Sequence, residues 1–326
     1  MFNLKPTAMK KLLFTIIVCL FSLSLLSQYC LPEGITFNTQ AQIDSFQINY
    51  PGCTEIEGDV LIAGEDINNL NGLNVLTLIG GNLWFANTAL TGLTGLENLS
   101  TVAGNVTIGG WYPFGNNSLQ SLTGLDGLNN IGGTLEISSN PVLDSLTGLN
   151  NLTTVGGNLR IGNGDAKSYE LDELMKLNSS LKNLSGLNNL TTIGGSLIIE
   201  DNESLNNIAD LANLNSIGGN LEILANALLT ELTGLDNINA DSIQSLNIYF
   251  NFNLSLCNVP CICDYLISPN GEVVIQNNAE GCNSQQEVKE ACASSISEIG
   301  SLIGLAVSPN PFTTSATIEY ELKKPE

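Results

Sequence analysis

The chain contains no histidine, and its ten lysine and arginine residues face 32 aspartates and glutamates, a formal net charge of -22 at pH 7. Each shortage removes a class of function. Without histidine, acid–base chemistry lacks its usual near-neutral group and metal sites lack their commonest ligand. So few cations cannot neutralise a run of phosphates, which excludes nucleic acid and anionic membrane surfaces as partners. Arg160 is the single arginine, and aromatic residues make up only 6% of the chain. The two tryptophans, Trp84 and Trp111, therefore stand out. Long apolar runs are missing too, apart from Leu12 to Leu26 behind Lys10 and Lys11. That run is short for a membrane span and is followed at once by polar sequence, the pattern of a cleaved export signal ending near Ser27. No transmembrane span is expected once it is removed. Tyr29 precedes Cys30 where a lipidated cysteine needs a small residue, which disfavours a lipoprotein.

What is present is a repeat. A strand phrase recurs as Gly58-Asp-Val-Leu-Ile62, Gly81-Asn-Leu-Trp-Phe85, Gly104-Asn-Val-Thr-Ile108, Gly133-Thr-Leu-Glu-Ile137, Gly157-Asn-Leu-Arg-Ile161, Gly195-Ser-Leu-Ile-Ile199, Gly219-Asn-Leu-Glu-Ile223 and Gln244-Ser-Leu-Asn-Ile248. Successive spacings of 23, 23, 29, 24, 38, 24 and 25 residues describe a coil of about 24 residues with two insertions. Apolar third and fifth positions alternate with mostly polar neighbours, as in a strand with one buried face. After each strand a leucine or its equivalent falls at every third residue, as in Leu143, Leu146, Leu149, Leu152 and Val155. That period fits a repeatedly turning wall better than a long helix. One such unit cannot bury its own apolar side, so the units must stack. The expected fold is mainly β: a parallel β-solenoid of about eight coils.

Aligned on the leucine phrase, Asn87, Asn116, Asn140, Asn178, Asn202, Asn226 and Asn251 take one equivalent position, which predicts a structural asparagine ladder satisfying backbone groups at the turn. The glycines precede strands and none opens a helix, so no phosphate-binding loop is indicated.

The stretch from Cys30 to Cys292, with its Gly-Asn-Leu-x-Ile strands, Leu-Thr-Gly-Leu-x-x-Leu phrases and terminal cysteines, resembles the receptor L-domain family of leucine-rich, right-handed parallel β-solenoids, known from the ectodomains of insulin and epidermal growth factor receptors; the resemblance implies a right-handed coil here. The resemblance implies a non-catalytic binding or adhesion module for an extracellular glycan or protein. It carries over no functional residue, because ligand contacts in such domains lie at variable outward positions.

The expected organisation is a signal peptide at 1–27, an N-terminal cap at 28–57, the solenoid at 58–256, a Cys-rich C-terminal cap at 257–292, a linker at 293–304 and a final segment at 305–326. That last segment, with Pro309-Asn310-Pro311-Phe312 before the alternating Ile318, Tyr320 and Leu322, resembles the opening of the C-terminal sorting domain of type IX secretion in Bacteroidota; its later strands do not follow before Glu326. The type IX machinery is thus an expected partner, and a secreted or outer-surface location the expected destination. In an oxidising compartment the cysteines pair. Cys30 with Cys53 is the expected first bridge; Cys257, Cys263, Cys282 and Cys292 are further candidates, and with Cys261 the five cannot all pair among themselves. Neither a metal site nor a cofactor is expected.

Binding is sought on outward positions. The fourth strand position forms the row Leu61, Trp84, Thr107, Glu136, Arg160, Ile198, Glu222 and Asn247, expected to be exposed, with Glu136 and Arg160 as a cross-strand surface pair. Two insertions leave the coil at one junction: Gly109 to Gly115, with Trp111-Tyr-Pro-Phe114, and Gly162 to Leu177, with a short helix presenting Tyr169, Leu174 and Leu177. Lys167, Lys176 and Lys182 lie in or beside the second, near Arg160. Trp84, Trp111, Tyr112, Phe114 and Arg160 are the candidate ligand contacts. Two alternatives stand beside this reading. One is a spacer with no specific ligand. The other is a polysaccharide-active enzyme, since lyases and glycosidases also use such solenoids; here Asp201, Glu203, Glu222 and Asp241 fall at different coil positions and no motif pairs two of them.

Overall fold

The computed structural model describes residues 29–110, 115–162 and 178–300, together with two short strands near the C-terminus. Two parallel sheets form the walls of a β-solenoid. The larger has ten strands: β2 (Ile35–Phe37), β4 (Val60–Ala63), β6 (Leu83–Ala86), β8 (Val106–Gly109), β10 (Leu135–Ser138), β12 (Leu159–Ile161), β14 (Leu197–Glu200), β16 (Leu221–Leu224), β17 (Leu246–Tyr249) and β18 (Val273–Gln276). The smaller has eight two-residue strands: β1 (Tyr29–Cys30), β3 (Glu55–Ile56), β5 (Leu78–Ile79), β7 (Thr101–Val102), β9 (Asn130–Ile131), β11 (Thr154–Val155), β13 (Thr192–Ile193) and β15 (Ser216–Ile217). Every neighbour pair within both sheets is in register at the repeat, for example Leu135 with Leu159 and Ile137 with Ile161. Stacking buries the third-position and fifth-position rows from Val60 to Leu246 and from Ile62 to Ile248. Strands β19 (Ala306–Ser308) and β20 (Thr317–Glu319) pair antiparallel.

The large sheet has one rung more than the repeated phrase at each end. At the C-terminal end the reason is visible in the residues: Gly271-Glu-Val-Val-Ile275 repeats the strand phrase 27 residues after Gln244. At the N-terminal end, Ile35 and Phe37 pair with Val60 and Ile62 without the usual asparagine and leucine.

The period of three in the connecting wall is a chain of tight turns. Leu143, Leu149 and Leu152 each donate a backbone hydrogen bond three residues back, to Asn140, Leu146 and Leu149, at 2.9–3.1 Å. Each turn brings the next leucine back to the interior, so Leu143, Leu146, Leu149, Leu152 and Val155 are all fully buried. Gly148 sits here at φ 119°, where any Cβ would strike the backbone of Leu122 in the previous coil.

Six ladder asparagines, Asn116, Asn140, Asn178, Asn202, Asn226 and Asn251, are completely buried. Asn226 is representative: its Nδ2 donates to Ile199 O at 2.9 Å and Leu224 O at 3.0 Å, while its own N–H donates to Asn251 Oδ1 at 2.9 Å. Asn278 extends the row, accepting from Asn251 N at 3.0 Å. Asn87 is a correction. Its coil has one residue fewer before the next leucine, so alignment on Leu90 misplaces it by one. Asn87 occupies the preceding left-handed turn position, at φ 50°, and donates to Glu65 Oε1 at 3.3 Å. Thr88 takes the ladder position instead, with its Oγ1 donating to Asn116 Oδ1 at 2.9 Å.

Helices close both ends, as an exposed solenoid core requires. Helices α1 (Gln40–Asp44) and α2 (Phe46–Asn49) bury Ile43 and Phe46. Helix α3 (Pro260–Ile267) buries Cys261, Ile262, Tyr265 and Leu266 beside α4 (Gln285–Gly300), and Tyr265 donates its hydroxyl to Gln244 O at 2.9 Å. Three disulfides tie these ends: Cys30–Cys53, Cys257–Cys282 and Cys263–Cys292, with Cα separations of 5.8, 5.6 and 5.7 Å. Each links residues 23 to 29 apart, about one coil. The cysteine left over in the C-terminal group is Cys261, whose thiol burial pushes up to about 12. It stays a protonated core side chain.

Candidate binding face

The outward face of the large sheet carries three parallel rows. Asp59, Asn82, Asn105, Thr134, Asn158, Ser196 and Asn220 begin the strands; Thr36, Leu61, Trp84, Thr107, Glu136, Arg160, Ile198, Glu222 and Asn247 stand in the middle; Ala63, Ala86, Gly109, Ser138, Glu200 and Leu224 end the strands. The first row is a second, exposed ladder. Asp59 Oδ1 accepts from Asn82 N at 2.7 Å, Asn82 Oδ1 from Asn105 N at 2.8 Å, Asn105 Oδ1 from Thr134 N at 2.7 Å, and Asn158 Oδ1 from Ser196 N at 2.8 Å. Side chains at the strand entrance thus accept the N–H of the next rung and hold the face regular. The polar second position of each phrase carried that signal.

Trp84 is half-buried, and its Nε1 donates to Gly109 O at 2.6 Å. The strand-end residues around it are Ala63, Ala86 and Gly109, small enough to leave an indole room. Beside it lies an open cavity of about 440 Å³, lined by Thr36, Asp59, Val60, Leu61, Asn82, Leu83, Trp84, Asn105 and Thr107. The sheet's inner residues Val60 and Leu83 form its floor.

Arg160 lies three strands beyond Trp84 in the same row, outside the lining of this cavity, and its partner corrects the expected one. Glu136 stands directly opposite Arg160 in register, yet the guanidinium pairs with Glu200 on the other side. Glu136 instead accepts from Ser138 Oγ at 3.3 Å. Glu200 is 4% exposed, and burial raises its carboxyl from 4.5 to about 7, against the opposing pull of Arg160. Nearby Asp201 and Glu222 add to the rise. Ile198, expected on the exposed row, is 5% exposed.

Trp111, Tyr112 and Phe114, and the Tyr169, Leu174 and Leu177 face with Lys167 and Lys176, lie outside the described residues. Their junctions do not. Gly110 and Gly115 flank the first insertion, Gly162 and Asn178 the second, and all four are buried at the edge where the strands end. Sequence reasoning passed over one feature of that edge: Tyr249, Phe250 and Phe252 form an aromatic series, with ring centroids 5.3 Å and 6.4 Å apart. Among the described residues no group of three acidic or cysteine side chains is placed to hold a metal, and no helix is long and apolar enough to cross a membrane.

A family model described as Receptor L domain matches residues 52–122 and 151–268, more than half of the chain. No curated protein matches the chain, and no solved structure does.

Proposed function

This chain belongs to the receptor L domain family, and from that premise we propose that it is a non-catalytic binding module, secreted or held at the outer cell surface, for an extracellular glycan or protein. The observation that carries the reading is the arrangement of the large sheet's outward face. A cavity opens beside Trp84, and the indole is tied to Gly109, at the root of the first insertion. Both insertions leave at the same strand ends, at Gly110 and Gly115 and at Gly162 and Asn178, which supports reading Trp111, Tyr112 and Phe114 as ligand contacts. Arg160, ion-paired and half-buried, is a weaker contact candidate than Trp84 because a ligand must first displace Glu200. Three disulfides support an oxidising, extracellular destination.

Replacing Trp111 and Tyr112 together by Ala is expected to abolish retention on an array of polysaccharides and surface proteins while the thermal midpoint stays within about 2 °C of the parent. A lowered midpoint with retained binding means that these aromatics pack instead of contacting ligand. Export by the type IX route predicts that removing residues 305–326 leaves the protein inside a host that uses that route; surface delivery of the shortened chain sinks that part of the reading.

A further inference from the structure

The cavity beside Trp84 has the chemistry of a particular ligand class, and resting on the binding reading above we propose that it is a subsite for an uncharged sugar. The lining divides into an apolar wall, Leu61 and the Trp84 indole, and a polar rim, Thr36, Asp59, Asn105 and Thr107. A pyranose has the matching halves: a C–H face that packs on an aromatic ring and an edge of hydroxyls that both donate and accept.

The rim supplies both kinds of partner. Asp59 spends Oδ1 on the backbone and side-chain N–H groups of Asn82, at 2.7 and 2.9 Å, which fixes the carboxylate and leaves Oδ2 to accept from a ligand hydroxyl. Asn105 uses Oδ1 on Thr134 N, which fixes the amide and leaves Nδ2 as a donor. Thr36 and Thr107 add hydroxyls at either end of the row. With its N–H donated to Gly109, the indole contributes an apolar surface in a fixed orientation, so little entropy is lost on binding. Asp59 and Asn105 are held by the entrance ladder before any ligand arrives, which is the preorganisation a weak polyol ligand needs.

Charge selects within the class. Among the described residues Asp59 is the one acidic side chain in the lining and no lysine or arginine lines the cavity, and the chain as a whole carries -22. Uronic-acid and sulfated polymers are therefore repelled. The row from Thr36 to Thr107 spans three strand spacings, about 14 Å, so a chain of two or three linked rings lies across the strands.

The test is calorimetric titration of the full chain with five uncharged hexasaccharides (cello-, laminari-, malto-, manno- and xylo-), with oligogalacturonate and oligolysine as charged probes. At least one uncharged hexasaccharide is expected to bind and oligogalacturonate is not. Asp59→Asn, which keeps the Oδ1 acceptor, is expected to weaken that binding at least fivefold, and Trp84→Leu at least tenfold. Asp59 is on the surface, so Asp59→Asn decides the matter even if Trp84→Leu unfolds the protein. Sugar binding unchanged by Asp59→Asn overturns this site while leaving a binding module intact. Binding of oligolysine alone replaces the sugar by a basic peptide, and no binding by any hexasaccharide overturns the sugar assignment. Shortened oligosaccharide products overturn the non-catalytic reading itself.

Discussion

Arg160 on β12 pairs with Glu200 on β14 although Glu136 on β10 faces it directly, and the reason is burial. Glu136 keeps access to water and a hydroxyl partner, whereas among the described residues Glu200 has no other cation with which to compensate its desolvation. The group with the larger penalty takes the partner.

That pair makes stability pH-dependent with a defined sign. Glu200 has its carboxyl raised from 4.5 to about 7, so between these values the folded chain holds a proton that the unfolded chain has lost. Stability contributed by this group therefore falls as pH rises through that window. Replacing Glu200 by Gln is expected to flatten the change in thermal midpoint between pH 5 and pH 8 relative to the parent. An identical slope in the two proteins shows that Glu200 does not titrate there.

Removing Arg160 sharpens the same effect. Arg160→Met leaves the Glu200 carboxylate unpaired, and the variant is expected to lose several kcal/mol at pH 8, about 3, and clearly less at pH 5, where Glu200 can take up a proton. Equal losses at both pH values, measured by urea unfolding, contradict this account.

The inner ladder is expected to matter far more than its look-alike position. Asn226→Ala leaves Ile199 O, Leu224 O and the Asn202 N–H without their partner and is expected to cost about 2–4 kcal/mol. Asn87→Gly, at a left-handed turn position outside the ladder, is expected to change stability by less than about 1 kcal/mol. Chemical denaturation of the two variants side by side checks the contrast.

The end bridges each close a loop of about one coil. Replacing Cys30 and Cys53 together by Ser is expected to cost about 3 kcal/mol. In a chain starting at Gln28, a thiol reagent is expected to find nothing in the native protein and one group after denaturation, Cys261. A thiol reactive in the native state shows that the pairing differs.

Much of the architecture was legible because its signal is repeated. A buried apolar residue at each third and fifth strand position recurs across eight rungs, so a single local rule was read many times over. The same reading slipped where one coil departs from the rule: Asn87 stands a residue away from its apparent equivalent because that coil is a residue shorter. The outer rungs β2 and β18 escaped for a related reason, since β2 lacks the phrase and Gly271 follows at an unusual spacing.

The chain's own pattern determined that it stacks, which rows face inward and that its cysteines gather at the two ends, because those properties depend on local periodicity. Tertiary structure alone decided what happens between rungs: that Arg160 chooses Glu200, that Cys261 is the cysteine left over, and that Asp59, Asn82 and Asn105 brace a cavity beside Trp84. These side chains lie 23 to 40 residues apart along the chain. Their choice of partner is set by differences in burial and spacing across neighbouring coils, and those exist only once the coils are stacked.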